Sequence, residues 1–196
     1  ATQEPMVTAI PEGTLEERSF ESAVLGRTQR YGVYLPAGYD DESQRYPVLY
    51  MHDGQKLFDS GTSHSGVEWS VDETMQVLSG EGLEAIVVGI WNTPDRQHEY
   101  SPFSHVWKGT GEAYLRYVID TVKPLIDSHF RTKRERVHTG IVGSSLGGLI
   151  STYAFFKHPA VFGLLGAMSP SYWAGNGAMY ERVKKLPAPP GRIYLD

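Results

Sequence analysis

Gly143-Ser144-Ser145-Leu146-Gly147 reads G-x-S-x-G, the spacing of a nucleophile elbow, in which a serine is held on a strained turn between a strand and a helix. A serine hydroxyl attacks a carbonyl only if a base takes its proton, and the oxyanion that forms needs donors placed in advance. The glycines answer a steric demand: a turn that sharp leaves no room for a Cβ two residues either side of Ser145, where Gly143 and Gly147 stand. The pattern is short enough to arise by chance, so the flanks decide. Arg136 to Val142 is β-branched and apolar, of strand length, while Leu146 to Phe156 has helical character and stops at His158-Pro159. Strand, glycine-flanked serine and helix is the order the chemistry requires. The competing interpretation is a glycine-rich turn carrying a solvent-facing serine.

In such an arrangement one oxyanion donor is the N–H after the nucleophile, here Leu146, and the second comes from the loop after an early strand. That loop is Asp53-Gly54-Gln55, which points to the Gln55 N–H as donor, with Gly54 letting the backbone approach substrate. His52-Asp53-Gly54 also reads as a plain tight turn. Trp107, Tyr172 and Trp173 lie in segments leaving strand ends, where α/β sheets bind ligands. Trp107 and Trp173 are therefore candidates to bind an ester with a bulky or aromatic part, rim packing being the other possibility.

A base and an acid are harder to find. After Ser145 the only histidine is His158, at the far end of the elbow helix, and a helix advances 1.5 Å per residue away from its start. It cannot serve Ser145. His52, His64, His98, His105, His129 and His138 show no metal-ligand spacing; a His52/Asp53/His64 cluster can be imagined, but no metal site is assigned. His138 is expected in the buried strand. Asp196 is a weak candidate for the acid.

The elements that would position these groups can be traced in order. Ala1 to Gly13 forms a polar leader, then Arg18 to Leu25 and Gln29 to Leu35 alternate around Gly26-Arg27 as an antiparallel hairpin. Asp40-Asp41-Glu42 reads as a solvated acidic run. Pro47 to His52 and Ala85 to Ile90 are short apolar strands buried on both faces. Ser70-Val71-Asp72-Glu73 is a capping box opening a helix that stops at Gly80. Trp91 to Gly109 is a long irregular stretch, the kind that often carries function. Leu115, Val118, Ile119, Val122, Leu125 and Ile126 share one helical face, with a kink possible at Pro124. The basic run Arg131 to Arg136 reads as a solvated loop. Phe162 to Met168 is a strand, Ala178 to Leu186 a short helix, and Arg192 to Leu195 another strand. The alternation specifies an α/β layered sheet, mostly parallel, with helices on both faces and the hairpin as an antiparallel edge.

The 196 residues suit a single domain, expected over residues 1–196. A formal net charge of −5 argues against nucleic acid or an anionic membrane surface as partner, and no apolar run reaches membrane-spanning length. With no cysteine there is no disulfide, thiolate metal site or cysteine nucleophile.

Tyr46 to Phe58, Arg96 with Glu99-Tyr100-Ser101-Pro102, Gly143 to Leu149, and Ser169-Pro170-Ser171-Tyr172-Trp173, in this order, give the chain a wider likeness. It resembles the Putative esterase family of α/β-hydrolases, the group that includes esterase D, feruloyl esterases, siderophore (enterochelin-type) esterases and mycolyltransferases. The resemblance runs from Phe20 over nearly the whole chain. It implies an α/β-hydrolase fold, Ser145 as nucleophile, the Gln55 and Leu146 amides as oxyanion donors, and no metal or organic cofactor. The family's order of nucleophile, acid and histidine is not completed here. The chain is therefore expected to lack the C-terminal part of the fold, the acid and histidine lying beyond residue 196 or on a second chain. The resulting expectation is a serine carboxylic-ester hydrolase of small-molecule esters; a non-catalytic binding or scaffold domain and an acyltransferase are the alternatives.

Overall fold

The computed structural model describes residues 12–23, 25–41 and 43–196; residues 1–11 of the expected leader, Val24 of the hairpin and Glu42 of the acidic run lie outside the described residues. Strand β1 (Thr14–Ser22) and β2 (Arg27–Leu35) form the antiparallel hairpin. Then come β3 (Val48–His52), α1 (Val71–Gly80), β4 (Ile86–Ile90) and the short α2 (Arg96–Glu99). Helices α3 (Gly111–Tyr117) and α4 (Lys123–His129) lead to β5 (Thr139–Ser144) and α5 (Leu146–Lys157). The chain closes with β6 (Leu164–Met168), α6 (Ala174–Lys184) and β7 (Arg192–Leu195).

The sheet runs β1-β2-β4-β3-β5-β6-β7. Pairings from β4 through β7 are parallel, and the hairpin joins antiparallel through β2 and β4, as expected of an edge. Strand alternation sends Val48 and Tyr50 of β3 and Ile86, Val88 and Ile90 of β4 to one face, where they meet Leu115, Val118, Ile126, Leu149 and Phe155. Met51 and Val87 face the other way, onto Leu57 of the loop after β3 and Met75 of α1. All five residues of β4 are buried, and so is α5 from Gly147 to Phe155, which is why both read as continuous apolar runs.

Several local expectations are corrected. The Thr139 side of the elbow strand is shorter than its sequence suggests: Arg136–His138 is a 3-10 turn, and His138 is half-buried outside the strand. Ser70 precedes α1 at φ 50° with no side-chain capping bond, so its role is backbone geometry and not a capping box. The helix around Pro124 does not break; residues Val118–Val122 widen into a π-helical segment that delivers the chain to Pro124 at the start of α4. The basic run is partly structural. Arg136 donates to the carbonyl oxygens of Pro159 (2.5 Å) and Phe162 (3.1 Å), and the Arg131 guanidinium lies 4.0 Å over the Tyr39 ring. No helix among the described residues is long and apolar enough to cross a membrane.

Candidate active site

Ser145 sits exposed at the exit of β5, with φ 58° and ψ −119°, a backbone conformation that L-residues adopt only under constraint. The constraint is visible around it. Ser145 N–H donates to the Met168 carbonyl (3.0 Å), and its own carbonyl accepts from Ser171 (2.9 Å) and from Leu149 in the first turn of α5 (3.1 Å). A Cβ on Gly143 would stand 2.6 Å from the Gly147 carbonyl carbon, so the strand exit and the helix start touch backbone to backbone. The two flanking glycines are not equivalent, however. A Cβ on Gly147 would meet nothing closer than the His52 Cβ at 3.4 Å, an ordinary contact.

The Ser145 hydroxyl is 3.0 Å from the Ser171 hydroxyl, a buried side chain. Ser171 belongs to a segment the sequence marks only through family resemblance; a contact spanning 26 residues leaves no local signal. Leu146 opens α5, so its N–H is among the first-turn donors a helix cannot satisfy itself. Gln55 lies in the single 3-10 turn Gly54–Lys56 after β3. That loop packs on the first turn of α5, where Gly147 faces His52 and Asp53. Gly54 has no room to be anything else, as a Cβ there would fall 2.3 Å from the Gly89 carbonyl oxygen of β4. Strand ends β3 and β5 thus bring the Gln55 and Leu146 segments to one side of the sheet.

The loop after β3 is held by a polar clamp the sequence does not announce. Asp53, at φ 60° and buried, accepts from Arg96 Nε (2.6 Å) and Nη2 (2.8 Å) and from Asn92 Nδ2 (2.5 Å). Its N–H donates to the Tyr100 hydroxyl (3.1 Å), and the Gln55 side chain bonds Asn92 twice, Nε2 donating to Asn92 Oδ1 (2.7 Å) and Oε1 accepting from the Asn92 backbone N–H (3.1 Å). Burial pushes the Asp53 carboxyl up, but the Arg96 bonds and charge, with Asn92, outweigh it and hold it below its ordinary range. Glu99, also buried, pairs with Arg27 and accepts from Thr93 (2.9 Å), tying the same segment to β2. The long stretch from Trp91 to Gly109 is therefore anchored at Arg96 and Glu99.

The histidines stay apart from Ser145 Oγ. His52 is fully buried, its Nδ1 2.7 Å from the Tyr114 hydroxyl, and burial lowers its pKa to about 4 against the opposing pull of Asp53. Asp53 is engaged by Arg96 and His64 is exposed, so the imagined His52/Asp53/His64 metal cluster does not form, and no other such group occurs among the described residues. His158 caps the far end of α5, about 18 Å along the helix axis. Asp196 Oδ1 accepts from the Ser169 N–H (2.5 Å) beside the end of β6, close in the chain to Ser171 but without a bond to Ser145. Trp107 and Trp173 meet edge to face, ring centroids 6.0 Å apart, and line a cavity of about 400 Å³ with His105, Val106 and Asn176. Trp107 adopts φ 53°, and Trp173 is 69% exposed.

The family model described as "Putative esterase" matches residues 22–193, a span that takes in the elbow, the β3 loop and the Arg96 clamp. YbbA, an uncharacterized protein of Bacillus subtilis, is 30% identical over 176 residues, covering 85% of this chain and 66% of YbbA. The endo-1,4-beta-xylanase/feruloyl esterase of Xylanibacter ruminicola is 28% identical over 180 residues, covering 89% of this chain and 23% of that protein. The crystal structure of an IroE-like serine hydrolase from Shewanella oneidensis is similar with a TM-score of 0.73 at 25% identity, covering 88% of this chain and 55% of that one. Each of these proteins is longer than the part that the chain spans.

Proposed function

The chain belongs to the Putative esterase family, and from that membership we propose that it carries the nucleophile and oxyanion hole of a serine carboxylic-ester hydrolase. The carrying observation is the backbone of Ser145, strained at φ 58° and ψ −119° on the strand-to-helix junction, with its side chain exposed. Ser145 Oγ attacks the ester carbonyl carbon, and the carbonyl oxygen takes the negative charge against the Gln55 and Leu146 N–H groups. Collapse breaks the bond to the alcohol oxygen, which leaves with the proton that the proposed histidine took from the Ser145 hydroxyl. Water then releases the acyl group as the acid and restores the hydroxyl. Ser171 holds the hydroxyl in its resting rotamer.

No histidine or carboxylate among the described residues bonds the Ser145 hydroxyl, which supports a triad acid and histidine supplied from beyond residue 196 or by another chain. Single-domain organisation over residues 1–196 belongs to the same proposal. For substrate, we infer an ester with an aromatic or bulky part seated against Trp107 and Trp173, in keeping with the feruloyl esterase named among the relatives. Replacing Trp173 with Ala should lower kcat/KM for aromatic esters roughly three- to tenfold more than for acetyl esters. Equal effects on both would remove this substrate reading.

A fluorophosphonate probe, which phosphonylates activated serines, tests the mechanism in the full natural protein. Labelling and aryl-ester turnover should vanish in Ser145→Ala, with a loss on the order of 10⁴–10⁶-fold, and persist in Ser144→Ala. Undiminished turnover in Ser145→Ala would overturn the assignment.

A further inference from the structure

Gln55 helps to line a cavity of about 470 Å³, together with Lys56, His64, Asn92, Thr93 and Arg96. No carboxylate lines it, although the whole chain carries a formal net charge of −5. Its floor is built and rigid. The Gln55 side chain bonds both the side chain and the backbone N–H of Asn92, Lys56 N–H donates to the Asp53 carbonyl (2.9 Å), and the Lys56 carbonyl accepts from Trp69 (2.8 Å). Arg96 is fixed by Asp53 through Nε and Nη2, which leaves its Nη1 donors unengaged among the described residues, on a side chain still 27% exposed. Lys56 makes no ion pair with any described carboxylate, whereas its neighbour Arg96 does. A half-buried lysine without an ion pair among the described residues, a spare guanidinium edge and an imidazole therefore line one opening beside Gln55.

We propose that this cavity is an anion subsite, taking a carboxylate carried by the acyl or alcohol part of the ester whose carbonyl lies at the Gln55 amide. The inference rests on the oxyanion reading of Gln55, and it narrows the substrate class to esters bearing a negative charge within one ring or short chain of the scissile bond. Lys56 supplies the uncompensated charge, Arg96 a fixed edge of N–H donors that suits a planar carboxylate, and Asn92 with Thr93 the rim.

Two amides of one shape separate charge from fit: terephthalamate, with a free carboxylate, and neutral terephthalamide. Each is titrated into isotope-labelled protein at low ionic strength, following ¹H–¹⁵N chemical shifts. Terephthalamate is expected to bind about tenfold more tightly, the preference shrinking as salt rises. Shifts should centre on Gln55, Lys56 and His64. Lys56→Gln should abolish the preference, and Lys56→Arg should keep most of it. Equal affinity for the two amides, a preference that survives Lys56→Gln, or shifts centred on the distant basic patch of Arg45, Lys133 and Arg134 would overturn the proposal. Because the readout is binding, the preference should persist in Ser145→Ala, so it stands or falls separately from hydrolysis.

Discussion

Gly143 and Gly147 flank the same serine, yet their surroundings differ. A methyl on Gly143 would be forced onto the Gly147 backbone at 2.6 Å, whereas one on Gly147 finds ordinary contact at 3.4 Å. Gly143→Ala should therefore lower stability by about 1–3 kcal/mol as an overpacked site, while Gly147→Ala should be neutral or gain up to ~1 kcal/mol as a helical Gly→Ala change. Thermal unfolding of the two variants checks this, and equal losses would show that the turn is not the tight element described. Ser145 holds a conformation glycine adopts freely, so Ser145→Gly should be more stable than Ser145→Ala by about 1 kcal/mol, with both inactive. The elbow was legible because its constraint is local and written in adjacent residues. The inequality of its glycines was not, since what each meets depends on backbone brought in by folding. Ser171 was hidden for the same reason: its hydroxyl reaches Ser145 only once β5 and β6 are paired.

The β3 loop and the segment around α2 are joined by one buried carboxylate and one guanidinium. Removing the guanidinium in Arg96→Ala strands a charge on Asp53, which costs about 3–5 kcal/mol when such a pair is deeply buried and less here, where Arg96 is partly exposed. Asp53→Asn with Arg96→Met, which removes both charges, should recover much of the loss in urea unfolding. His52 adds a pH dependence. Its folded form resists protonation down to pH about 4, while the unfolded chain takes the proton near pH 6.5. Its contribution is therefore full above pH 6.5 and falls as pH drops toward 4, by about 3 kcal/mol. Urea midpoints across that range should decline less in a folded His52→Gln variant; an identical decline would show that His52 is not the group that titrates. The strands and most helices were legible from apolar runs and spacing. The π-helical segment before Pro124 and the clamp through Asn92 were not. The first depends on how the helix reconciles Pro124 with the packing of Tyr117 and Val118, and the second on residues 39 positions apart.

Among the described residues the strands β1 to β7 form one mixed sheet, in which Ile193, Tyr194 and Leu195 of β7 are about half exposed (49%, 61% and 52%). Beside them lies an apolar cavity of about 300 Å³ lined by Phe156, Leu165, Tyr172, Met179, Ile193 and Leu195. The mixed architecture was readable from the alternation of elements, whereas strand order is a property of how crossovers settle and carries no local mark. That order puts β5 between β3 and β6, bonded on both sides, while β1 is bonded on one. In deuterated water, the amide protons of Ile141 and Val142 should then exchange only through global opening, and those of β1 through fraying at the margin. Ser145, the proposed nucleophile, directly follows the strand expected to exchange most slowly, so warming should extinguish its reactivity and the native fold at the same temperature, with no inactive but folded interval between.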